Sequence, residues 1–337
     1  MSSFKALVVD KVDGNPEMSI QTLTTDQLTS GDVLIKVHYS SVNYKDAMIA
    51  VNGQFAEKFP MVPGIDLAGE VVESVNEDFQ PGDQVLATSY YIGTRNFGGF
   101  SEYAKIPAEW LVPLPEGLTL RESMILGTAG FTAALSIDKL EQNGLRPDDG
   151  KVLVAGASGG VGSISVNMLS DIGYHVEAST GHMEEVQYLK SIGAKRVIHR
   201  DEVTDEEDKP IRKRQWIAAI DPIGGKTTQY ILSSLDYGGY VATCGLVGGV
   251  EVKTTVLPFI SRNIQWIGVD SVKFPMEGRK KIWDRLATDL KPSKLSRDIA
   301  TEITLNELPD TLKEILKGQI RGRFIVNFIK DSDEETE

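Results

Sequence analysis

The run Val152-Leu153-Val154-Ala155-Gly156-Ala157-Ser158-Gly159-Gly160-Val161-Gly162 carries the clearest chemistry in the chain. A short apolar strand leads into a turn with glycines at 156, 159, 160 and 162, and a helical pattern follows. Where Cβ atoms are missing, backbone N–H groups close on a pyrophosphate at the positive end of a helix dipole. The spacing is a variant of the dinucleotide fingerprint, and a glycine pattern by itself fits a plain turn as well. The strand before it and the helix after it favour the phosphate reading. That reading takes Gly156, Ser158, Gly159, Gly160, Val161 and Gly162 as cofactor-binding.

The end of the next strand should meet the adenosine ribose. Thr180 lies 18 residues beyond Gly162, near the spacing of about 20 at which an NAD site offers Asp or Glu to the 2′-hydroxyl. Here stand Ser179-Thr180-Gly181-His182, with hydroxyls and no acid, and Arg200 follows the third strand. A 2′-phosphate would be accepted there, so NADPH is expected ahead of NADH. Glu184 and Glu185 weaken that field. The plainer alternatives are ordinary strand-end chemistry for Ser179 and Thr180 and a surface charge for Arg200.

Other chemistries find little support. His38, His175, His182 and His199 show no metal-ligand spacing, and the single cysteine, Cys244, excludes an intrachain disulfide and a four-cysteine zinc site. No metal is expected. Cys244 follows an apolar strand and is read as a small buried residue rather than a nucleophile. Ser158 resembles a nucleophile elbow only superficially, with no Asp–His pair evident downstream. With 35 Lys plus Arg against 48 Asp plus Glu, the net charge of −13 argues against nucleic acid as a main partner. No apolar run approaches a membrane span and no signal segment is visible, so a cytoplasmic protein is expected.

Two kinds of element must position these residues. Up to about residue 120 the chain reads as short strands between turns: Phe4–Val9, Val33–Tyr39, Leu67–Val75, Gln84–Ala87 and Phe100–Ile106. Leu120–Leu140 has helical spacing broken by Gly127 and Gly130. From Gly150 strand and helix alternate: strands at 152–155, 175–179, 196–199, 216–220, 240–243 and 264–268, helices at 160–172, 184–192 and 226–235. That alternation predicts a doubly wound parallel sheet. Helices over Met276–Leu290 and Leu305–Lys317 and a strand over Phe324–Phe328 close the pattern. The acid-rich stretch 201–208 reads as solvated, and Asp331–Glu337 as a frayed acidic tail.

In this order the chain resembles the medium-chain dehydrogenases/reductases, in which a Rossmann domain is inserted late into a GroES-like barrel. The resemblance implies an α/β fold with a GroES-like catalytic domain over 1–126, completed by 272–330, and a Rossmann domain over 127–271. Where zinc relatives carry ligands, Asn43 and Ile65 stand here. The chain therefore looks like the zinc-free quinone oxidoreductase branch. Within it, several segments resemble the acryloyl-CoA reductase family: Asn43-Tyr44-Lys45-Asp46, 59–66 (FPMVPGID), 127–133 (GTAGFTA), Tyr237-Gly238-Gly239, Cys244-Gly245-Leu246, Pro258-Phe259-Ile260, 268–272 (GVDSV) and 319–323 (QIRGR).

The family's activity is NADPH-dependent reduction of the 2,3 double bond of acryloyl-CoA. The resemblance carries cofactor contacts onto Tyr44, Ser158–Val161, Thr180–His182, Arg200, Leu246, Ile260 and Ser271. Some members place an arginine where His182 stands, so the preference for NADPH is expected to be less strict here. Tyr44 is the catalytic hydroxyl the resemblance points to, for the substrate carbonyl, the ribose or a proton; a packed tyrosine is the alternative. Asn43 and Asp46 are taken with it as catalytic, balanced against a purely structural role. Lys45, Arg321 and Arg323 are candidates for a CoA phosphate, against solvent exposure. An NADPH:quinone oxidoreductase and a non-catalytic NADPH-binding protein are the competing functions. A homodimer paired through strand 264–268 and a cleft between the domains are expected from the superfamily.

Overall fold

The turn Asp13-Gly14 has φ of +51° and +85°, the twist of a two-residue hairpin. It joins β1 (Ser3–Val12) to β2 (Asn15–Thr24) as an antiparallel pair. The sequence reading has no strand at β2. Its apolar side chains are sparse because the ribbon is largely exposed, and the Asp-Gly turn was the available signal. The computed structural model describes residues 3–29, 31–204, 206–295, 299–318 and 320–329, so the expected tail Asp331–Glu337 lies outside the described residues. None of its helices is long and apolar enough to cross a membrane, among the described residues.

The chain divides into two units. Unit 1 takes the residues up to Thr128, Val272–Trp283 and the stretch from Leu295; unit 2 takes Ala129–Ser271 and Asp284–Lys294. Beyond the hairpin, unit 1 carries β3 (Val33–Val42), α1 (Tyr44–Asn52), β4 (Asp66–Ser74), β5 (Gln84–Thr88), β6 (Tyr103–Ile106), β7 (Val112–Pro113) and the start of α2 (Leu120–Gln142). Unit 2 carries β8 (Lys151–Val154), α3 (Gly160–Asp171), β9 (His175–Thr180), α4 (Val186–Ser191), β10 (Arg196–His199), β11 (Trp216–Asp221), α5 (Gly225–Ser234), β12 (Leu235–Thr243), α6 (Leu257–Arg262) and β13 (Gln265–Gly268). The chain ends with α7 (Met276–Ala287), β14 (Ala300–Ile303), α8 (Leu308–Leu316) and β15 (Arg323–Asn327).

In unit 1 the long strand β3 organises the sheet. It pairs antiparallel with β4, β6 and β15, and the full order is β14-β15-β3-β4-β5-β7 with β6 on β3. Val33, Ile35 and Val37 alternate into the core with Leu67, Val71 and Phe100, each fully buried aliphatic adding about 1.5–3 kcal/mol on leaving water. The returning strand β15 lands on Tyr39–Val42, next to the start of α1. That register brings Arg323 beside residues 42 and 43 from some 280 positions away.

In unit 2 the order β10-β9-β8-β11-β12-β13 is parallel throughout, so strands 3-2-1-4-5-6 place the switch point at β8. This is the order of dinucleotide-binding sheets, with the ligand crevice at the carboxyl ends. The fold class is the α/β one the sequence predicts. A buried acid in β9, Glu177, accepts from Lys151 Nζ at 2.8 Å and Trp216 Nε1 at 2.9 Å. Burial alone would raise its carboxyl, but those donors outweigh it and hold Glu177 below the ordinary glutamate range. Residues 284–294 belong to this unit, not to the first domain where the sequence reading puts all of 272–330. Arg285 ties them down by pairing with Asp138 and Glu141 at 2.9 Å each, and Ser293 N and Oγ bind Asp171 at 2.7 and 2.9 Å.

Candidate active site

The glycine turn of unit 2 is built for a close approach. Gly156 holds φ of +56°, and a Cβ there would sit 2.6 Å from Ile223 Cδ1. A Cβ on Gly162 would collide with the Gly156 carbonyl oxygen and lie 2.7 Å from Ala157 Cα. Gly159 is different. It caps α3 in extended backbone, and its Cβ would meet only the Gly156 oxygen, at an ordinary 3.4 Å. Internal packing therefore demands glycine at 156 and 162 but not at 159, where only a bound group would. With the first N–H groups of α3 open, this cradle fits a pyrophosphate.

The second strand closes on the cradle through hydroxyls. Ser158 Oγ and Thr180 Oγ1 lie 2.9 Å apart, Thr180 Oγ1 accepts from the His182 backbone at 3.0 Å, and Ala157 N donates to Ser179 O at 2.8 Å. A Cβ on Gly181 would lie 2.9 Å from Arg200 Cζ and Nε, so the guanidinium rests over a bare backbone at the strand end. His182 Nδ1 is 3.2 Å from Glu184 Oε1. The residues expected at 156–162, 179–182 and 200 thus meet in one place. Leu246 adjoins it through the turn after β11: a Cβ on Gly224 would be 3.1 Å from Leu246 Cα. Asp221, absent from the sequence reading, holds that turn by accepting from Ile223 N at 2.9 Å, Gly224 N at 3.1 Å and the Thr228 hydroxyl. Ile260 on α6 is 75% exposed and is not tied to the cradle by these contacts. Ser271 accepts from Thr132 Oγ1 at 2.9 Å.

In unit 1 the sequence reading overlooks α1 and the cluster beneath it. Asn43 caps α1 and Asp46 is its third residue, a capping pair ahead of an apolar run. Asp46 is fully buried; its Oδ2 accepts from Asn43 N at 2.9 Å and its Oδ1 from Gly64 N and Ile65 N at 3.2 and 2.8 Å. Asp66, also fully buried, accepts through Oδ2 from Asn43 Nδ2 at 2.8 Å and Thr128 N at 2.7 Å, and through Oδ1 from Thr128 Oγ1 at 2.5 Å. Arg323 donates to Asn43 Oδ1, Val42 O and Ile125 O at 3.0–3.3 Å. Thr128 follows the break in α2 at Gly127, whose φ is +50°; a Cβ there would strike Ser41 Oγ and lie 2.6 Å from Asp66 Oδ2. Tyr44 points outward, 41% exposed, and its hydroxyl has no hydrogen-bond partner among the described residues.

These contacts correct three expectations. Asn43 and Asp46 are inside the unit with their polar atoms engaged, so neither is free to touch a substrate. Arg323 is buried under the start of α1 and is out of reach of a CoA phosphate; Arg321 is exposed. Burial, then the neighbouring Asp66, push Asp46 up to about 7. Burial raises Asp66 as well, and lowers Arg323. Desolvation, then the Asp221 charge, push the thiol of the half-buried Cys244 up to about 12, as suits an inert residue.

Residues 29–116 match the model of the alcohol dehydrogenase GroES-like domain, and residues 160–288 that of the zinc-binding dehydrogenases. The acrylyl-CoA reductase AcuI of Ruegeria pomeroyi is 43% identical over 327 residues, 96% of this chain and 99% of that protein. The chain belongs to the medium-chain dehydrogenase/reductase family. Two solved members superpose closely. The yhfP protein of Bacillus subtilis with NAD bound gives a TM-score of 0.95 at 48% identity, covering 97% of this chain and all of the other. The yhdH oxidoreductase of Salmonella enterica in complex with NADP gives 0.93 at 45%, covering 96% and 99%. The zinc of the family model finds no fit: no three His, Cys, Asp or Glu side chains converge to hold a metal ion, among the described residues. Asn43 is committed to Asp66 and Arg323 instead.

Two predictions follow from this geometry. Gly159→Val should keep the melting temperature within about 2 °C yet weaken NADPH binding at least about tenfold, whereas Gly162→Ala should lower the melting temperature itself. Thermal melts and cofactor titrations of both variants separate ligand approach from packing; equal destabilisation would refute the distinction. Asp46 holds its proton more tightly folded than unfolded, so its contribution to stability is complete at low pH and is lost as pH rises through about 7. From about pH 5 to about pH 8 the wild type should lose stability relative to Asp46→Asn in denaturant unfolding, and a constant gap would contradict this.

Proposed function

We propose that the protein reduces the 2,3 double bond of acryloyl-CoA or a similar short enoyl-CoA with NADPH. It is an oxidoreductase. The observation that carries the reading is Tyr44: an outward phenol with an uncommitted hydroxyl, at the head of a helix whose cap is locked from below, in a chain 43% identical to an acrylyl-CoA reductase. In such a reduction negative charge gathers on the thioester oxygen, and a donor already in place stabilises it without reorganising. We read the exposed Tyr44 hydroxyl as that donor. Bound NADPH supplies the hydride for the β-carbon.

The cofactor choice rests on the end of β9. Thr180 and Gly181 present no carboxylate, and Arg200 lies over Gly181, so a 2′-phosphate meets a cation rather than an acid. His182, joined to Glu184, makes that clamp weaker than an arginine would. We also read the protein as a homodimer joined through the edge strand β13. Trp266 on that strand is 43% exposed.

Parallel assays with acryloyl-CoA and 1,4-benzoquinone, each with NADPH and with NADH, test the activity. Propionyl-CoA as product supports the thioester reading; turnover of quinone alone replaces it with a quinone oxidoreductase. His182→Arg should raise the NADPH-to-NADH ratio of kcat/KM at least about tenfold, and no change would remove His182 from the clamp. Sedimentation should give twice the chain mass for the wild type and the chain mass for Trp266→Glu; a monomeric wild type would end the dimer reading.

A further inference from the structure

Asp66 joins two surfaces that sequence keeps apart. Its Oδ2 takes one hydrogen bond from the side chain of Asn43, the residue before Tyr44, and another from the backbone of Thr128. Its Oδ1 takes the Thr128 hydroxyl, which itself lies 2.9 Å from Ser89 Oγ. Ser89 and Tyr90 both hold positive φ, +64° and +47°, a strained pair for residues with side chains. Arg279, fully buried, pins that pair by donating to Thr88 O and Oγ1, Tyr90 Oη and Val272 O. On the other side Arg323 donates to the Asn43 oxygen and so fixes which way its amide faces. Asn43 Nδ2 then has to point at Asp66. One carboxylate therefore sets the lateral position of the α1 N-terminus against the Thr128 backbone. One of its hydrogen-bonded neighbours, Asn43, directly precedes Tyr44, the one aromatic residue of α1.

We infer that Asp66 is a positioning residue for the reaction: with Arg323 it orients Asn43 and thereby holds the Tyr44 hydroxyl where the acceptor oxygen must arrive. The inference rests on the reading of Tyr44 as the hydroxyl that meets the acceptor. An asparagine at 66 is isosteric, but it carries no charge to hold Asn43 Nδ2, and its amide nitrogen either faces the donors Asn43 Nδ2 and Thr128 N or obliges the Thr128 hydroxyl to turn and accept. The cap can then rotate, and the phenol it carries samples other positions. Misplacement of a donor by about 1 Å is enough to cost two orders of magnitude in rate.

A double-mutant cycle in the full-length protein tests this, using whichever acceptor the wild type reduces. Asp66→Asn should lower kcat at least about tenfold with KM for NADPH within about twofold, because the cradle is untouched. In a Tyr44→Phe background the same change should cost no more than about twofold, since the group it positions is gone. Equal losses in both backgrounds, or an unchanged kcat in Asp66→Asn, would overturn the inference. If Asp66→Asn does not fold, Thr128→Val replaces it in the cycle, removing one of the three hydrogen bonds to Asp66 and leaving the backbone one.

A second readout needs no turnover. With 3-fluorotyrosine at position 44, the fluorine resonance should shift or broaden in Asp66→Asn (Thr128→Val if that variant is used) and in Arg323→Lys. A resonance unchanged in all of them would refute the positioning role. A moved resonance in a protein that reduces neither acceptor would uphold the positioning and sink only the activity.

Discussion

A carboxylate removed from water must be surrounded by donors or give up its charge. Asp66 has three donors and a nearby guanidinium, and everything around the start of α1 is arranged to supply them. Burying an ion costs several kcal/mol, and three hydrogen bonds to a charged acceptor return about 1.5–3 kcal/mol each, so the balance is close. A close balance makes each donor matter. It explains why Gly127 must be a glycine: a Cβ there would press on Asp66 Oδ2. Asp46 tightens the constraint further. It is a second buried acid within reach of the same single buried arginine, and its own three backbone donors do not prevent its carboxyl from rising to about 7. The cluster holds two buried carboxyls against one guanidinium, and burial raises both carboxyls.

How much of this was legible depends on how far apart the interacting residues lie. The cradle was legible because its parts are contiguous: strand, glycines and helix occupy 151–171, and the ribose end follows at 179–182. The strand alternation likewise announced both sheets. The Asp66 cluster was not, because it draws on residues 43, 66, 128 and 323, which nothing local connects. Arg323 lay in a polar segment, QIRGR, and read as a surface cation; only the pairing of β15 with β3 carries it inside. Two signals were available. Asn43 and Asp46 have the spacing of a helix start, and Asp66 is an acid at the head of a strand whose next residues, Leu67-Ala68-Gly69, are buried, where a charge must have a partner. Segment 284–294 was assigned by continuity, whereas ion pairs to Asp138 and Glu141 decide its place.

The two units are built with different materials. Unit 2 presents backbone. Its turn is defined by open N–H groups and by missing Cβ atoms at 156 and 162, where packing leaves no room for a side chain. That is consistent with close relatives solved with NAD and with NADP sharing one fold at 45–48% identity. Few charged side chains stand at the end of β9. A cation over Gly181 favours the extra phosphate, and an acid beside His182 diminishes it. The two contributions oppose each other over a short distance near the surface, where screening keeps either from dominating.

Unit 1 is held instead by side chains that lie inside it. Only Tyr44 emerges; the rest of the apparatus is buried and mutually bonded. Such a network is intolerant in a particular way. Substituting an exposed group changes what is touched, but substituting a buried partner leaves a charge or a donor unpaired and moves everything attached to it. A substitution inside unit 1 can therefore leave the glycine turn of unit 2 unchanged and still displace Tyr44. It follows that the position of one outward hydroxyl carries information from four distant segments, and that its setting is a property of unit 1 as a whole rather than of α1.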